Sequence, residues 1–334
     1  MSAPEQAEGR GGAWTEERTT KERATTEGGA SKAPRGERET PSPAANVGLP
    51  DLGLCGSAVI VTGAGSGIGA AAARHLAAAG ASVVLAGRRT APLESVADAI
   101  AADGGQAFCV QADLALAASP RQVAAACLDR FGRIDGVVNN AAVVRHLPLA
   151  EWSVSGFDEH VATNIRAPFF LVQAALPALL ESPIRSVVNI SSSSGTLRRT
   201  GQSVYGMTKG ALDCLTQTLA GELAGCGVRV NCIAPGPIDT PIHATWATDL
   251  AEAYRWLQSQ VPLGRIGSAD EVARWIALLL SPVSSFMTGA IIPLDGGQVI
   301  DRELRSIQDR AGRGGTATVT PNPYGVARLD ICRE

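Results

Sequence analysis

From residue 56 onward, short apolar runs alternate with longer segments of helical period. The stretch 57–89, SAVIVTGAGSGIGAAAARHLAAAGASVVLAGRR, reads as an apolar strand, a glycine-rich turn, an alanine-rich helix ended by Gly80 and a second apolar strand. Residues 92–102 predict a helix, 106–110 a short strand, 120–131 a helix and 135–138 a buried strand. Phe157, Val161, Ile165, Phe169 and Val172 then recur at near-helical spacing. An apolar strand at 187–190 ends in four serines and leads into a helix carrying Tyr205 and Lys209. Residues 228–233 form a strand followed by a Pro-Gly loop, and 241–264 a movable helical cover. Ser268, Ala269, Asp270 and Glu271 carry the start signature of a helix over 268–280, and 291–294 is a last strand. Strands alternating with helices in this way predict an α/β chain whose parallel sheet has helices on both faces.

The two ends break the pattern. Residues 1–50 have mixed charges and almost no large apolar side chains, so they cannot offset their ordering entropy and are expected to be a disordered extension. The expected domain spans 51–302, and 303–334, polar and glycine-rich, is expected to be a flexible tail.

With 334 residues, 45% of them hydrophobic, the chain has material for a sizeable core. A net charge of −3 gives no sign of a nucleic-acid or anionic-membrane partner. Seven cysteines, scattered without metal-ligand spacing, read as reduced thiols, and no metal site is expected. Neither a membrane span nor a leader is visible, which makes the cytoplasm the expected location.

Candidate chemistry gathers at the carboxyl ends of the predicted strands. Gly63, Gly65, Gly67 and Gly69 follow a strand and open a helix, where backbone amides can face a pyrophosphate and side chains would block its approach. The second strand ends in Gly87, Arg88 and Arg89. No carboxylate is there for a ribose 2′-hydroxyl, and two arginines suit a 2′-phosphate, which favours NADP over NAD. Asp113, followed by Leu114, either meets an adenine edge or caps the next helix. Asn164, in an apolar helical segment, is either a satisfied core amide or functional. Tyr205 and Lys209 lie four positions apart, roughly 6 Å along a helix axis and on one face. A neighbouring ammonium favours phenolate, so Lys209 is expected to lower the Tyr205 pKa for proton transfer, with Ser192 hydrogen-bonding the same substrate oxygen.

Taken together, these motifs resemble the short-chain dehydrogenase/reductase family over about residues 56–299. Thr62 to Gly69 matches its TGxxxGIG turn and the tyrosine and lysine its YxxxK site. The resemblance implies a Rossmann-like doubly wound sheet of about seven parallel strands. It assigns Asn164, Ser192, Tyr205 and Lys209 as the catalytic tetrad, Lys209 also holding the nicotinamide ribose and Asn164 placing a water that links it to solvent. It further assigns Ser66 and Ile68 to the cofactor turn, Asp113 and Leu114 to the adenine pocket, Asn139 and Ala141 to the segment beside the adenosine, and Pro235, Gly236, Ile238 and Thr240 to the nicotinamide. Ala142 replaces the family's glycine after Asn-Asn-Ala, and Ser66 stands where many NADP-preferring members carry a basic residue.

The implied activity is NADP(H)-dependent interconversion of a ketone and a secondary alcohol, like that of 3-oxoacyl-(acyl carrier protein) reductases, in a homodimer or homotetramer. An NADPH-binding regulator with little turnover is the alternative. Leu147, Leu197, Trp246 and Trp256 are candidate walls for an apolar substrate, or else core or interface.

Overall fold

A computed structural model describes residues 51–247 and 249–300. The expected N-terminal extension and C-terminal tail lie outside these residues. Seven parallel strands form the main sheet: β1 (Ala58–Thr62), β2 (Ser82–Gly87), β3 (Gln106–Gln111), β4 (Gly136–Asn139), β5 (Ser186–Ile190), β6 (Arg229–Pro235) and β9 (Ile291–Leu294). Two further strands, β7 (Ile238–Asp239) and β8 (Gly267–Ser268), pair only with each other. The main sheet runs in the order β3-β2-β1-β4-β5-β6-β9, as the doubly wound pattern requires.

Alternation along each strand explains the two layers. Val59 and Val61 of β1, with Val83 and Leu85 of β2, enter one core. Ala58, Ile60, Val84 and Ala86 enter the other. A period of two sends neighbouring residues to opposite faces, so strands buried on both sides are continuously apolar. On the first face lie α1 (Gly67–Ala78), α2 (Thr90–Ala102) and α8 (Ala269–Leu280); α1 packs on α8. The second face carries α3 (Ser119–Phe131), α5 (Ala167–Glu181) and the end of α6 (Ser203–Leu223). Ser268 and Glu271 make a reciprocal capping box at the start of α8, as their spacing predicts.

One segment departs from the expected pattern. The apolar periodicity over 157–172 is not one regular helix. It is α4 (Val154–Val161), a π turn (Ala162–Arg166) and α5, and the wider turn surrounds Asn164. The segment after β6 contains a short 3₁₀ turn (Pro241–Thr245) and α7 (Leu250–Ser259).

The sheet also explains one buried charge. Asp135, at the entry to β4, accepts from Arg133 Nε (2.6 Å) and Nη2 (2.7 Å), Ser182 Oγ (2.6 Å) and Ala58 N (2.8 Å). Burial pushes its pKa up, but these hydrogen bonds outweigh that and hold it below the usual carboxylate value. The cluster ties β1, β4 and the turn before β5 together at the end of the sheet away from the glycine turn.

Candidate active site

The strand order reverses between β1 and β4, and their carboxyl ends diverge to leave a crevice. Its floor is a hydrogen-bonded corner. Thr62 Oγ1 donates to Val138 O (3.1 Å) and accepts from Asn140 N (2.9 Å) and Ala141 N (3.1 Å). Asn140 Nδ2 donates to Thr62 O (2.8 Å) and Gly63 O (3.3 Å). Gly63 has φ +65°, and a Cβ there would lie 2.9 Å from Ala141 Cα. A Cβ on Gly69 would lie 2.3 Å from Gly63 O, so its absence lets α1 start directly beneath the turn.

Gly63, Gly65, Ser66, Gly67 and Ile68 line the crevice. Arg88, Arg89, Asp113 and Leu114 border one end, and Ala141 and Thr240 the middle. The backbone cradle and helix N-terminus fit a pyrophosphate, since side chains at the glycines would fill the space. Gly69 lies behind the turn. Asn139 also does not line the crevice: its Nδ2 donates to Asn189 Oδ1 (2.9 Å), and Asn189 Nδ2 donates to Thr216 Oγ1 (2.9 Å). It steadies the sheet, whereas Asn140 faces the dinucleotide crevice. Asp113 does not cap α3. It accepts from Ala115 N (3.0 Å) in a tight turn at the crevice edge.

Arg88 is mostly exposed, with Nη1 3.9 Å from Glu159 Oε1; Glu159 also pairs with Arg145. Such an exposed contact is weak and leaves the guanidinium free to turn toward a ligand.

A second cavity adjoins the first. Its empty space is about 830 Å³, open solvent at its mouth included. Ser192, Tyr205, Lys209, Pro235, Gly236 and Ile238 line it. Ser192 sits where β5 gives way to a 3₁₀ turn, and its Oγ accepts from Ser194 N (3.1 Å). Tyr205 faces the same cavity as Ser192, whose side chain acts to lower the phenol pKa. Lys209 follows one turn later on α6; its Nζ donates to Ile190 O (2.6 Å) and lies 5.7 Å from the Tyr205 ring centre.

Burial dominates both pKa values. It raises Tyr205 to about 12, against a smaller lowering by the Ser192 hydrogen bond. It lowers Lys209 to about 8, with Cys232 and Asp213 opposing. The expectation that Lys209 depresses the tyrosine is therefore corrected. A weakly solvated ammonium turned to a carbonyl does not offset the loss of water around the phenol. Tyr205 remains a neutral donor near pH 7, and Lys209 is still mostly cationic there.

Asn164 is fully engaged. Its Oδ1 accepts from Val143 N (2.8 Å), and its Nδ2 donates to Val143 O (3.0 Å) and Thr208 Oγ1 (3.0 Å). Thr208 Oγ1 donates in turn to Tyr205 O (2.8 Å). Its side chain clamps the 140–144 loop to α6 and has no amide hydrogen left for a water.

The substrate walls differ from those expected. Trp246 lines the cavity, but Leu147, Leu197 and Trp256 do not; Leu257, one residue after Trp256, does. A turn of α7 puts Leu257 inward and Trp256 on the flank. His146, Gln202, His243 and Gln298 supply polar wall that the sequence pattern did not reveal. They come from four separate segments, and no local spacing marks them.

Residues 63–298 match a family model described as enoyl-(acyl carrier protein) reductase. A 2,5-dichloro-2,5-cyclohexadiene-1,4-diol dehydrogenase of Sphingobium indicum is 34% identical over 244 residues, covering 73% of this chain and 96% of that protein. The 3-oxoacyl-[acyl-carrier-protein] reductase of Thermotoga maritima is 33% identical over 247 residues, covering 74% and 99%. A solved structure from Beutenbergia cavernae, described as an NAD(P)-dependent gluconate 5-dehydrogenase with NADP bound at low occupancy, superposes with a TM-score of 0.70 at 34% identity. That match covers 75% of this chain and 100% of the other.

Proposed function

Because the chain belongs to the short-chain dehydrogenase/reductase family, an oxidoreductase family using NAD(P), we propose that it interconverts a ketone and a secondary alcohol with NADP(H). The observation that carries this reading is the meeting of Ser192, Tyr205 and the Lys209 ammonium in one cavity that adjoins the glycine turn's crevice.

A bound nicotinamide dinucleotide supplies or accepts the hydride. Ser192 orients the substrate oxygen by a hydrogen bond, and Tyr205 delivers its proton there during reduction. Lys209, held by Ile190 O beside Tyr205, would bind the ribose hydroxyls of the cofactor where the cavity adjoins the crevice. Thr208 and Asn164 act indirectly, fixing the first turn of α6 and the loop bordering the crevice. In the oxidative direction the same tyrosine receives the alcohol proton. Assaying a ketone and alcohol panel with both nicotinamide cofactors tests the reading, and tight dinucleotide binding without turnover of any member contradicts it.

Arg88 and Arg89 support the choice of NADP. A single charge-assisted contact contributes about 1.5–3 kcal/mol, so Arg88→Ala is expected to lower the preference for NADPH over NADH by about tenfold or more. An unchanged ratio of kcat/KM for the two cofactors removes Arg88 from this role.

Assembly as a homodimer or homotetramer is part of the proposal. Phe157, Phe169, Phe170 and Met207, on α4, α5 and α6, are each about 40% exposed, more apolar surface than isolated helices usually present to water. Light scattering at micromolar concentration is expected to give at least twice the 34.3 kDa chain mass. A monomer contradicts it.

A further inference from the structure

Resting on the hydride-transfer reading above, we infer that the substrate is hydroxylated, carrying at least one hydroxyl besides the reacting oxygen, and that His243 and Gln298 in the wall of the substrate cavity receive it.

Donor and acceptor accounting leads to this conclusion. His243 and Gln298 are only 7% and 5% exposed, and both line the cavity. His243 Nε2 lies 2.8 Å from Ile238 O, a contact that requires the ring proton on Nε2. Burial lowers the pKa of His243 and keeps it neutral, so Nδ1 carries a lone pair. Among the described residues no atom pairs with that nitrogen. Gln298 Oε1 accepts from Ser193 Oγ at 2.9 Å, which leaves Nε2 as the free end. Nε2 is also buried without a partner. The wall thus holds one unused acceptor and one unused donor.

Neighbouring polar groups do not satisfy them. Ser194 Oγ donates to Gln202 Oε1 (2.7 Å), and Gln202 Nε2 lies 2.9 Å from His146 Nε2. These contacts hold the wall in place. A buried polar atom left unpaired loses its hydration without replacement, so a hydrocarbon filling this space leaves two such penalties uncorrected. A hydroxyl, both donor and acceptor, can complete either atom, and two hydroxyls complete both. Polyols, hydroxy ketones and sugar-derived alcohols have this chemistry; an unfunctionalised alkyl or steroidal ketone does not. The apolar residues Ala142, Val144, Ile242 and Leu257 line the remaining wall and suit the carbon skeleton.

The test is a matched series. 2-Hydroxycyclohexanone is compared with cyclohexanone, and open-chain ketones bearing a hydroxyl one to four carbons from the carbonyl with their deoxy counterparts. Each is assayed with the wild-type protein, His243→Phe and Gln298→Leu. At least one hydroxylated ketone is expected to exceed its deoxy partner in kcat/KM by about 10- to 100-fold. That ratio should shrink toward one in at least one variant; being taken within a single enzyme, it is not moved by a general loss of active protein. Deoxy ketones that match or exceed every hydroxylated partner overturn the inference and leave the hydride-transfer reading standing, as does a ratio unchanged in both variants. Failure to turn over any ketone with either cofactor overturns that reading and this inference with it. Should neither variant fold, the wild-type ratio decides alone.

Discussion

Turnover in the Tyr205→Phe variant is expected to fall by about 10²- to 10⁴-fold, the usual worth of a positioned general acid. Only the hydroxyl is removed, so the ring continues to fill its place in α6. Burial holds the phenol proton until about pH 12, which makes Tyr205 a proton source throughout the neutral range. The variant has no such source. Water cannot easily substitute at a residue only 9% exposed. Dinucleotide affinity should change little, because the glycine turn, Asn140 and the two arginines lie in the adjoining crevice. Steady-state assays of a productive ketone, with fluorescence titration of NADPH, check both halves. Wild-type turnover in the variant would exclude the role.

Gly69→Ala is expected to reduce NADPH affinity more than a hundredfold and to lower thermal stability. The added Cβ would sit 2.3 Å from Gly63 O, 2.5 Å from Asn140 Nδ2 and 2.8 Å from Gly63 C. None of these atoms can yield easily. Thr62 and Asn140 tie the turn to the ends of β1 and β4, so relieving the clash moves the cradle itself. Overpacking that forces backbone shifts typically costs about 1–3 kcal/mol and occasionally more, and a contact of 2.3 Å against backbone lies at the upper end. Gly221→Ala on exposed α6 is the control: a Cβ there meets nothing within 4 Å. It should leave binding unchanged and stabilise the helix by about 0.5–1 kcal/mol. Equal NADPH affinity in Gly69→Ala and wild type would contradict this account of the turn.

Much of this arrangement was legible because it is local. The strand, turn and helix over residues 58–78 lie in one continuous stretch, and the four-residue step from Tyr205 to Lys209 sets their common face. Capping at Ser268 was readable for the same reason. What stayed hidden depends on residues far apart in the chain. Asn139 and Asn140 are adjacent, yet strand alternation sends one into the sheet toward Asn189 and the other to the glycine turn. The π turn around Asn164 answers to partners at Val143 and Thr208, 21 and 44 positions away. The two-residue β7 and β8 pairing is too short to show a period. Burial of the phenol, which outweighs the lowering by Ser192, depends on the whole cavity wall. His243 and Gln298 carry no motif at all.

Transfer of deuterium from NADPH carrying deuterium at both C4 positions, in a single turnover, tests the central claim most directly. With a ketone identified by the substrate panel, mass spectrometry should find one deuterium on the carbinol carbon of the alcohol formed by the wild-type protein. Tyr205→Phe, saturated with the same cofactor, should form that product about 10²- to 10⁴-fold more slowly. Product without deuterium, or equal rates in the two proteins, would contradict hydride transfer completed by the Tyr205 proton.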